Sequence, residues 1–263
     1  MLDSASFPRL YWNVALTAFF ALALLESYVP RRQHLQPLGR RWLHNVVLAI
    51  VNMAVGLAFR ASPLLVAGAA TDWAPLSLAG SALPFWLQCV VGFLFLDAVR
   101  YAQHRLMHGV PALWRLHQVH HSDEDFDLTT GLRFHPLEAV VTQGSYLAVL
   151  ALVAPPIEVV LVSELATIVQ NFFSHANVRV PHRLERTLRG VVVTPELHRL
   201  HHSVDLAEQN TNFGSVFPWW DRVGRTYLAG PLHGPIVFGL REVAPGTRLT
   251  LTRLLRMPFS RDV

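Results

Sequence analysis

The stretch Leu76–Leu96 runs for 21 residues without one Asp, Glu, Lys or Arg. A helix needs roughly 20 apolar residues to cross the hydrocarbon of a bilayer. There every backbone polar group must be satisfied within the protein, so a lone apolar run can span only as a helix. Four further runs share the pattern. Leu10–Leu25 and Asn45–Phe59 are uncharged; Ala139–Ala154 and Val159–Phe173 flank Pro155-Pro156, with Glu158 and Glu164 interrupting the last. The chain of 263 residues is 52% hydrophobic and 15% charged, against about 25% charged in an ordinary soluble domain. The fold expected is all-α and multi-pass, with four or five membrane helices. The fourth and fifth runs are read as a tight transmembrane hairpin, as a pair that dips partway in, or as a buried core pair.

All 22 basic residues are arginine and the net charge is +4. The arginines bunch at the ends of apolar runs without interleaved aromatics, a pattern of membrane flanks and not of nucleic-acid binding. Pro30-Arg31-Arg32 follows the first run and no small-residue cleavage site is evident, so that run is read as a retained anchor and not a signal peptide. Between runs one and two lie Arg31, Arg32, Arg40 and Arg41 with no acid; between runs two and three lie only Arg60 and Asp72. The positive-inside rule puts the first segment in the cytoplasm. Run three then returns to the cytoplasm, and a full hairpin of runs four and five leaves everything after Phe173 there too. For a bacterial chain the membrane would be the plasma (inner) membrane.

The single cysteine, Cys89, excludes a disulfide framework and any cysteine-rich metal site. The 14 histidines are another matter. His104 and His108 are four apart and share one helix face. His117, His120 and His121 form an H-x-x-H-H box followed by Ser122, and His198, His201 and His202 form a second, followed by Ser203. Both boxes put three imidazoles on one helical face, and Pro195 with Glu196 suit a first helical turn. Imidazole is the commonest side-chain metal ligand and suits iron, zinc, copper and nickel. Eight clustered imidazoles exceed what one ion uses, so two metals sharing ligands from several helices are expected. His34, His44, His182 and His233 lack partners at ligand spacing and are not counted. A di-zinc hydrolase and a non-enzymatic metal transporter remain open on the histidines alone. Transport is disfavoured because runs two and three hold little polar beyond Asn52 and Gln88.

The order H-x-x-x-H, H-x-x-H-H, H-x-x-H-H beside membrane runs resembles the fatty acid hydroxylase / sterol desaturase superfamily. "DAVRYAQHRLMH" (Asp97–His108), "LRFHPLE" (Leu132–Glu138), "NFFSH" (Asn171–His175), "PELHRLHHS" and "NFGSVFPWWDRVGRTY" (Asn212–Tyr227) are similar to family segments. The likeness covers about residues 91–228, taken as a catalytic region between N-terminal membrane helices (1–90) and a cytoplasmic tail (229–263). It implies two iron ions, O2 as co-substrate, and hydroxylation or desaturation of an unactivated C–H bond in a sterol, fatty acyl or related lipid entering from the bilayer. No cytochrome-type H-P-G-G or ferredoxin cysteine pattern is present, so a separate ferredoxin- or cytochrome-type electron donor is expected.

His175 closes the fifth run as His104 follows the third, and is expected as a ninth ligand. Four residues earlier, where some family members carry a further histidine, stands Asn171. His135 precedes Pro136, which biases it away from helical geometry, and is expected beside the ligands with Glu138, or else as a cap on the fourth run. Asp97, Asn212 and Asp221 are expected to accept ligand N–H groups, unless Asp97 pairs with Arg100 or Arg105. Phe213, Phe217, Trp219, Trp220 and Tyr227, with Arg222 and Arg225 among them, form either an interfacial belt or a packed core.

Overall fold

Apolar runs become helices here, and the prolines and short polar stretches between them decide where each begins. The computed structural model describes residues 6–58 and 62–260; Phe59 and Arg60 fall outside them. The membrane half comprises α1 (Ser6–Tyr28), α2 (Leu38–Ala58), the short α3 (Pro63–Ala70), α4 (Phe85–Gly109), α6 (Pro136–Val153) and α7 (Ile157–His175), with α5 (Pro111–His121) between α4 and α6. A polar layer follows: α8 (His182–Leu188), α9 (Pro195–His201), α10 (Leu206–Gln209), α11 (Trp219–Val223) and α12 (Leu251–Arg256). The described residues form an all-α fold.

Four helices are long and apolar enough to cross a membrane: Pro8–Tyr28, Phe85–Gly109, Pro136–Val153 and Ile157–His175. They make the chain a multi-pass integral membrane protein. The runs around Pro155-Pro156 are thus two helices of spanning length, turned at Ala154, whose φ of 35° is left-handed. At about 1.5 Å per residue, α6 and α7, of 18 and 19 residues, reach about 27 and 29 Å. The second run falls largely within α2, which has spanning length at 21 residues, but Arg40, Arg41, His44, Asn45 and Asn52 make that helix more polar, and it is not among the four.

The third run differs from its expected bounds. Leu76–Leu83 is not helical; its backbone pairs instead with the α6–α7 turn, through Leu76 N to Leu152 O, Leu78 N to Val153 O and Ala79 N to Ala154 O. Pro84 bars helix at the residue before it, so α4 starts at Phe85 and runs on through His104 and His108.

Within the bundle α7 is central, packing on α1, α3, α4 and α9. Ala67, Leu96, Tyr146, Leu150, Val159 and Val160 form the core between α3, α4, α6 and α7. Gly92 lets α4 approach: a Cβ there would stand 3.0 Å from Val159 Cγ1, the small-residue contact that packs helices in lipid. The outer face of α1 exposes Leu16, Phe20 and Leu24, as a lipid-facing surface does.

The ends of α1, α4 and α7 and the starts of α2 and α6 all meet one layer. Glu26, near the end of α1, accepts Leu128 N and Asn177 N. Arg41, at the start of α2, pairs with Asp123 and Asp127, both buried. Arg133 donates to Val119 O, Ser122 Oγ and Asn45 Oδ1, closing the end of α5. Residues 229–260 are not a free tail: Leu240, Val243, Leu254 and Met257 pack on Leu48 and Val119, because their apolar faces cover the back of α5.

Candidate metal centre

Each histidine reaches the polar layer by a local rule already visible in the chain. His104 and His108 lie one turn apart at the end of α4. Pro111 starts α5, which carries the first box, and His121 is its last residue. Thr194 caps α9, its hydroxyl accepting Leu197 N, with Pro195 at the first position; His198 and His201 follow on the helix and His202 stands at its C-cap. His175 is the last residue of α7.

The structure gathers all nine into two clusters. His104, His108, His117, His121 and His201 form one; His120, His175, His198 and His202 form the other. In each, one candidate ligand atom per residue lies within 4.8 Å of all the others. In the second cluster His175 Nε2 is 2.9 Å from His198 Nε2 and 3.2 Å from His120 Nε2. His120, His121 and His201 are among the most deeply buried side chains.

A carbonyl or carboxylate only accepts, so its partner nitrogen must carry the proton, and that fixes four tautomers. Nδ1–H of His104 donates to Phe213 O (3.0 Å), of His117 to Glu138 Oε1 (2.6 Å), of His175 to Asn171 O (2.7 Å) and of His201 to Thr211 O (2.8 Å). Each Nε2 is left with a lone pair on the cluster side, the arrangement that metal-binding histidines adopt. Buried ring nitrogens without a hydrogen-bond partner among the described residues remain on His104, His117, His120, His198, His201 and His202, and both do on His108 and His121. A buried polar atom left unpaired costs about 1–3 kcal/mol, and each of these rings can offer one nitrogen to a metal. Converging imidazole lone pairs are satisfied together by a cation, so the residues fit a pair of metal ions.

Burial, and after it neighbouring imidazoles, hold His120, His121, His198 and His202 well below the usual histidine range. Burial, followed by His117, pushes His201 down to about 3. These rings are neutral at pH 7 and free to bind metal. Phe134 stacks on His120 at 4.4 Å and Phe126 on His175 at 5.7 Å; Phe213 abuts His104, His108 and His201, and Trp114 abuts His108 and His121. This aromatic collar keeps the clusters dry.

Glu138 touches an imidazole directly. Asp97, Asn212 and Asp221, expected to do the same, act at one remove. Asp97 accepts Val216 N, Phe217 N and Trp220 Nε1, and so binds the 216–220 loop to α4 in place of an imidazole or an arginine. Asp221 accepts Phe213 N, Gly214 N and Thr226 Oγ1; it holds the loop whose Phe213 carbonyl takes His104. Asn212 donates to Leu197 O and Leu228 O. Asn171 turns its amide away to Gly131 O (2.8 Å), and it is the Asn171 carbonyl that serves His175. His135 lies outside both clusters: its Nδ1 accepts Leu137 N and its Nε2–H donates to Leu255 O. A ring committed at both nitrogens caps α6 and ties down the C-terminal segment. Of the aromatics, Phe213 is buried and Trp220 is bound to Asp97, while Trp219 is exposed and stacks on Phe217 at 4.2 Å; the segment is part core, part rim. The carbonyls of Thr211, Phe213 and Asn171 carry no sequence signal, since every residue has one.

Four membrane-length helices topped by two buried histidine clusters define a membrane-embedded histidine-box protein. The chain belongs to the fatty acid hydroxylase family, whose pattern matches residues 89–226. It is 33% identical over 181 residues to an ornithine lipid hydroxylase of Rhizobium tropici, covering 68% of this chain and 52% of that one. It is 33% identical over 148 residues to the alkylglycerol monooxygenase of Homo sapiens (56% of this chain, 32% of that one), and 33% over 183 residues to that of Danio rerio (68% and 38%). The chain therefore spans about half, or less, of these relatives' lengths. No solved structure matches it.

Proposed function

We propose that this chain is an O2-dependent lipid hydroxylase whose two histidine clusters hold two iron ions. The observation that carries the reading is the convergence of nine imidazoles, in two groups, at the ends of membrane-length helices. His104, His108, His117, His121 and His201 would hold one ion, and His120, His175, His198 and His202 the other. When bound, the irons supply the redox chemistry by which one atom of O2 enters a C–H bond and the other leaves as water, drawing two electrons and two protons from outside the chain. Glu138 places a carboxylate on His117 Nδ1–H, which fixes that ring and raises its basicity. The carbonyls of Phe213, Asn171 and Thr211 orient His104, His175 and His201. Phe126, Phe134, Trp114 and Phe213 exclude water around the rings.

The substrate is an amphipathic lipid entering from the bilayer. Hydroxylation is favoured over desaturation because the relatives named above are a hydroxylase and monooxygenases. The two electrons are drawn from a ferredoxin- or cytochrome-type donor, because Cys89 by itself cannot hold an iron–sulfur cluster. The arginine-rich segment between α1 and α2 supports a cytoplasmic position for the clusters by the positive-inside rule; in a bacterial cell the membrane would be the plasma membrane.

The test is lipid mass spectrometry of a knockout and a complemented strain grown under 18O2, with metal analysis of the purified protein. The expected result is one labelled oxygen in a lipid product and about two irons per chain. Stoichiometric zinc without O2-dependent turnover would replace this reading with a hydrolase.

A further inference from the structure

On the face of α9 turned away from the clusters lies a cavity of about 450 Å³, within the range of small-ligand sites. Its charged walls are Arg31, Arg179, Arg189, Glu185 and Glu196. Both acids are committed. Glu185 pairs with Arg189 and accepts Thr194 Oγ1; Glu196 pairs with Arg31 (2.8 Å) and with Arg199 (2.9 Å). Arg179 is exposed, and no ion pair or side-chain hydrogen bond engages it among the described residues. The wall thus presents one cation that nothing neutralises.

Position indicates what meets it. Arg31 stands three residues past the end of α1 and Arg179 four past the end of α7. Their backbones are joined, Arg31 N to Asn177 O at 2.9 Å and Arg179 N to Val29 O at 3.0 Å. The mouth therefore lies where two membrane-length helices end, at the level of lipid headgroups. Leu184 and Val191, beside the lining residues Glu185 and Arg189 in the chain, are exposed, as is Val223, next to Arg222 whose guanidinium donates to Arg189 O; Arg183 and Arg186 stand among them. Exposed apolar side chains among arginines are the composition of a surface that rests on an anionic membrane.

We propose that this cavity is an oxyanion site that takes the phosphate or carboxylate of a membrane lipid headgroup, with Arg179 as its free cation. The planar guanidinium offers a two-pronged donor that matches either group, and Arg31 and Arg189 flank it. The site is separate from the metal centre and stands whether or not the catalytic reading does.

The full chain is reconstituted into phosphatidylcholine vesicles with graded phosphatidylglycerol, and separately titrated with inorganic phosphate in detergent at constant ionic strength; thermal unfolding is read in both. Phosphatidylglycerol should raise the unfolding temperature, and Arg179→Gln should weaken the apparent affinity about tenfold, the loss of one charge-assisted hydrogen bond. Arg179→Lys, which keeps the charge but not the two-pronged geometry, should restore only part of it. Arg256→Gln, at an exposed position on α12, should change nothing. A response to inorganic phosphate alone would overturn the membrane as the source. Equal lipid responses in wild type and Arg179→Gln would overturn the site itself. So would an Arg179 effect confined to turnover with an acidic electron-donor protein, which would make this face a protein dock.

Discussion

Replacing Glu138 by alanine removes the acceptor that His117 Nδ1–H uses at 2.6 Å, in surroundings where the two side chains are 3% and 4% exposed. A hydrogen bond to a charged group contributes about 1.5–3 kcal/mol. Loss of a partner behind a metal-binding imidazole weakens metal affinity by about 10–100-fold, which is about 1.4–2.8 kcal/mol at 1.4 kcal/mol per decade. The two figures agree, so Glu138→Ala should weaken iron binding by one to two decades. Glu138→Gln keeps an acceptor and loses the charge. A neutral bond contributes about 0.5–1.5 kcal/mol, so the amide should cost roughly tenfold. The assay is competition for Fe(II) against a chelator of known affinity, with thermal unfolding of the metal-free variants as the check on folding. An iron affinity within about twofold of wild type in a folded Glu138→Ala, or a greater loss in the glutamine than in the alanine variant, would refute the idea that this carboxylate tunes the centre.

His120→Ala and His201→Ala should each abolish turnover and lower the iron content while the protein still inserts; His34→Ala and His233→Ala should leave both unchanged, and a comparable loss in either would show that the histidines are wrongly sorted. His175→Ala should lose iron, whereas His135→Ala should keep it and unfold at a lower temperature, because His135 caps α6 and holds Leu255; the opposite pattern in metal analysis would reverse their roles. Metal-free protein should lose stability as pH falls. His201 and its buried neighbours have folded pKa values depressed below the unfolded value of about 6.5, so their contribution is full above that value and declines below it, by about 1.4 kcal/mol per pH unit for each ring that stays neutral in the fold. Chemical denaturation that is flat between pH 7 and about 5 would mean that the rings take up protons in place. Reporter fusions at Pro37 and after Val263 should both read cytoplasmic, and a periplasmic signal at either would refute the orientation.

The histidine clusters were legible because helical spacing and metal chemistry both act on side chains. His104 and His108, and the three rings of each box, share a face by the geometry of the helix alone, and His175 was found because it ends an apolar run. The start of α4 was less legible. Leu76–Leu83 is as apolar as the helix after it, and only Pro84 and pairing with the α6–α7 turn, a tertiary contact, keep it out of the helix. The sequence leaves His135 open between a cap and a support for the ligands, because a histidine at a helix start can do either; Leu255, distant in the chain, settles it as the cap by taking its Nε2–H.

The carboxylates Asp97 and Asp221 show why proximity to a histidine box does not make a carboxylate an imidazole partner. Both meet backbone N–H groups of one loop, from Phe213 to Phe217. Asn212 sits at its head with φ 54°, a left-handed conformation that asparagine tolerates better than most residues. Its amide is held by Leu197 O and Leu228 O, which fixes that turn against α9. The residues on either side then send their carbonyls to different rings, Thr211 O to His201 and Phe213 O to His104. One loop thereby orients an imidazole from α4 and another from α9 within the same cluster. Asp221 and Asp97 anchor the loop, and the loop, through its backbone, sets the rings. Removing either carboxylate should therefore disturb the first cluster, which contains His104 and His201, before the second, whose His175 depends on Asn171 O within α7.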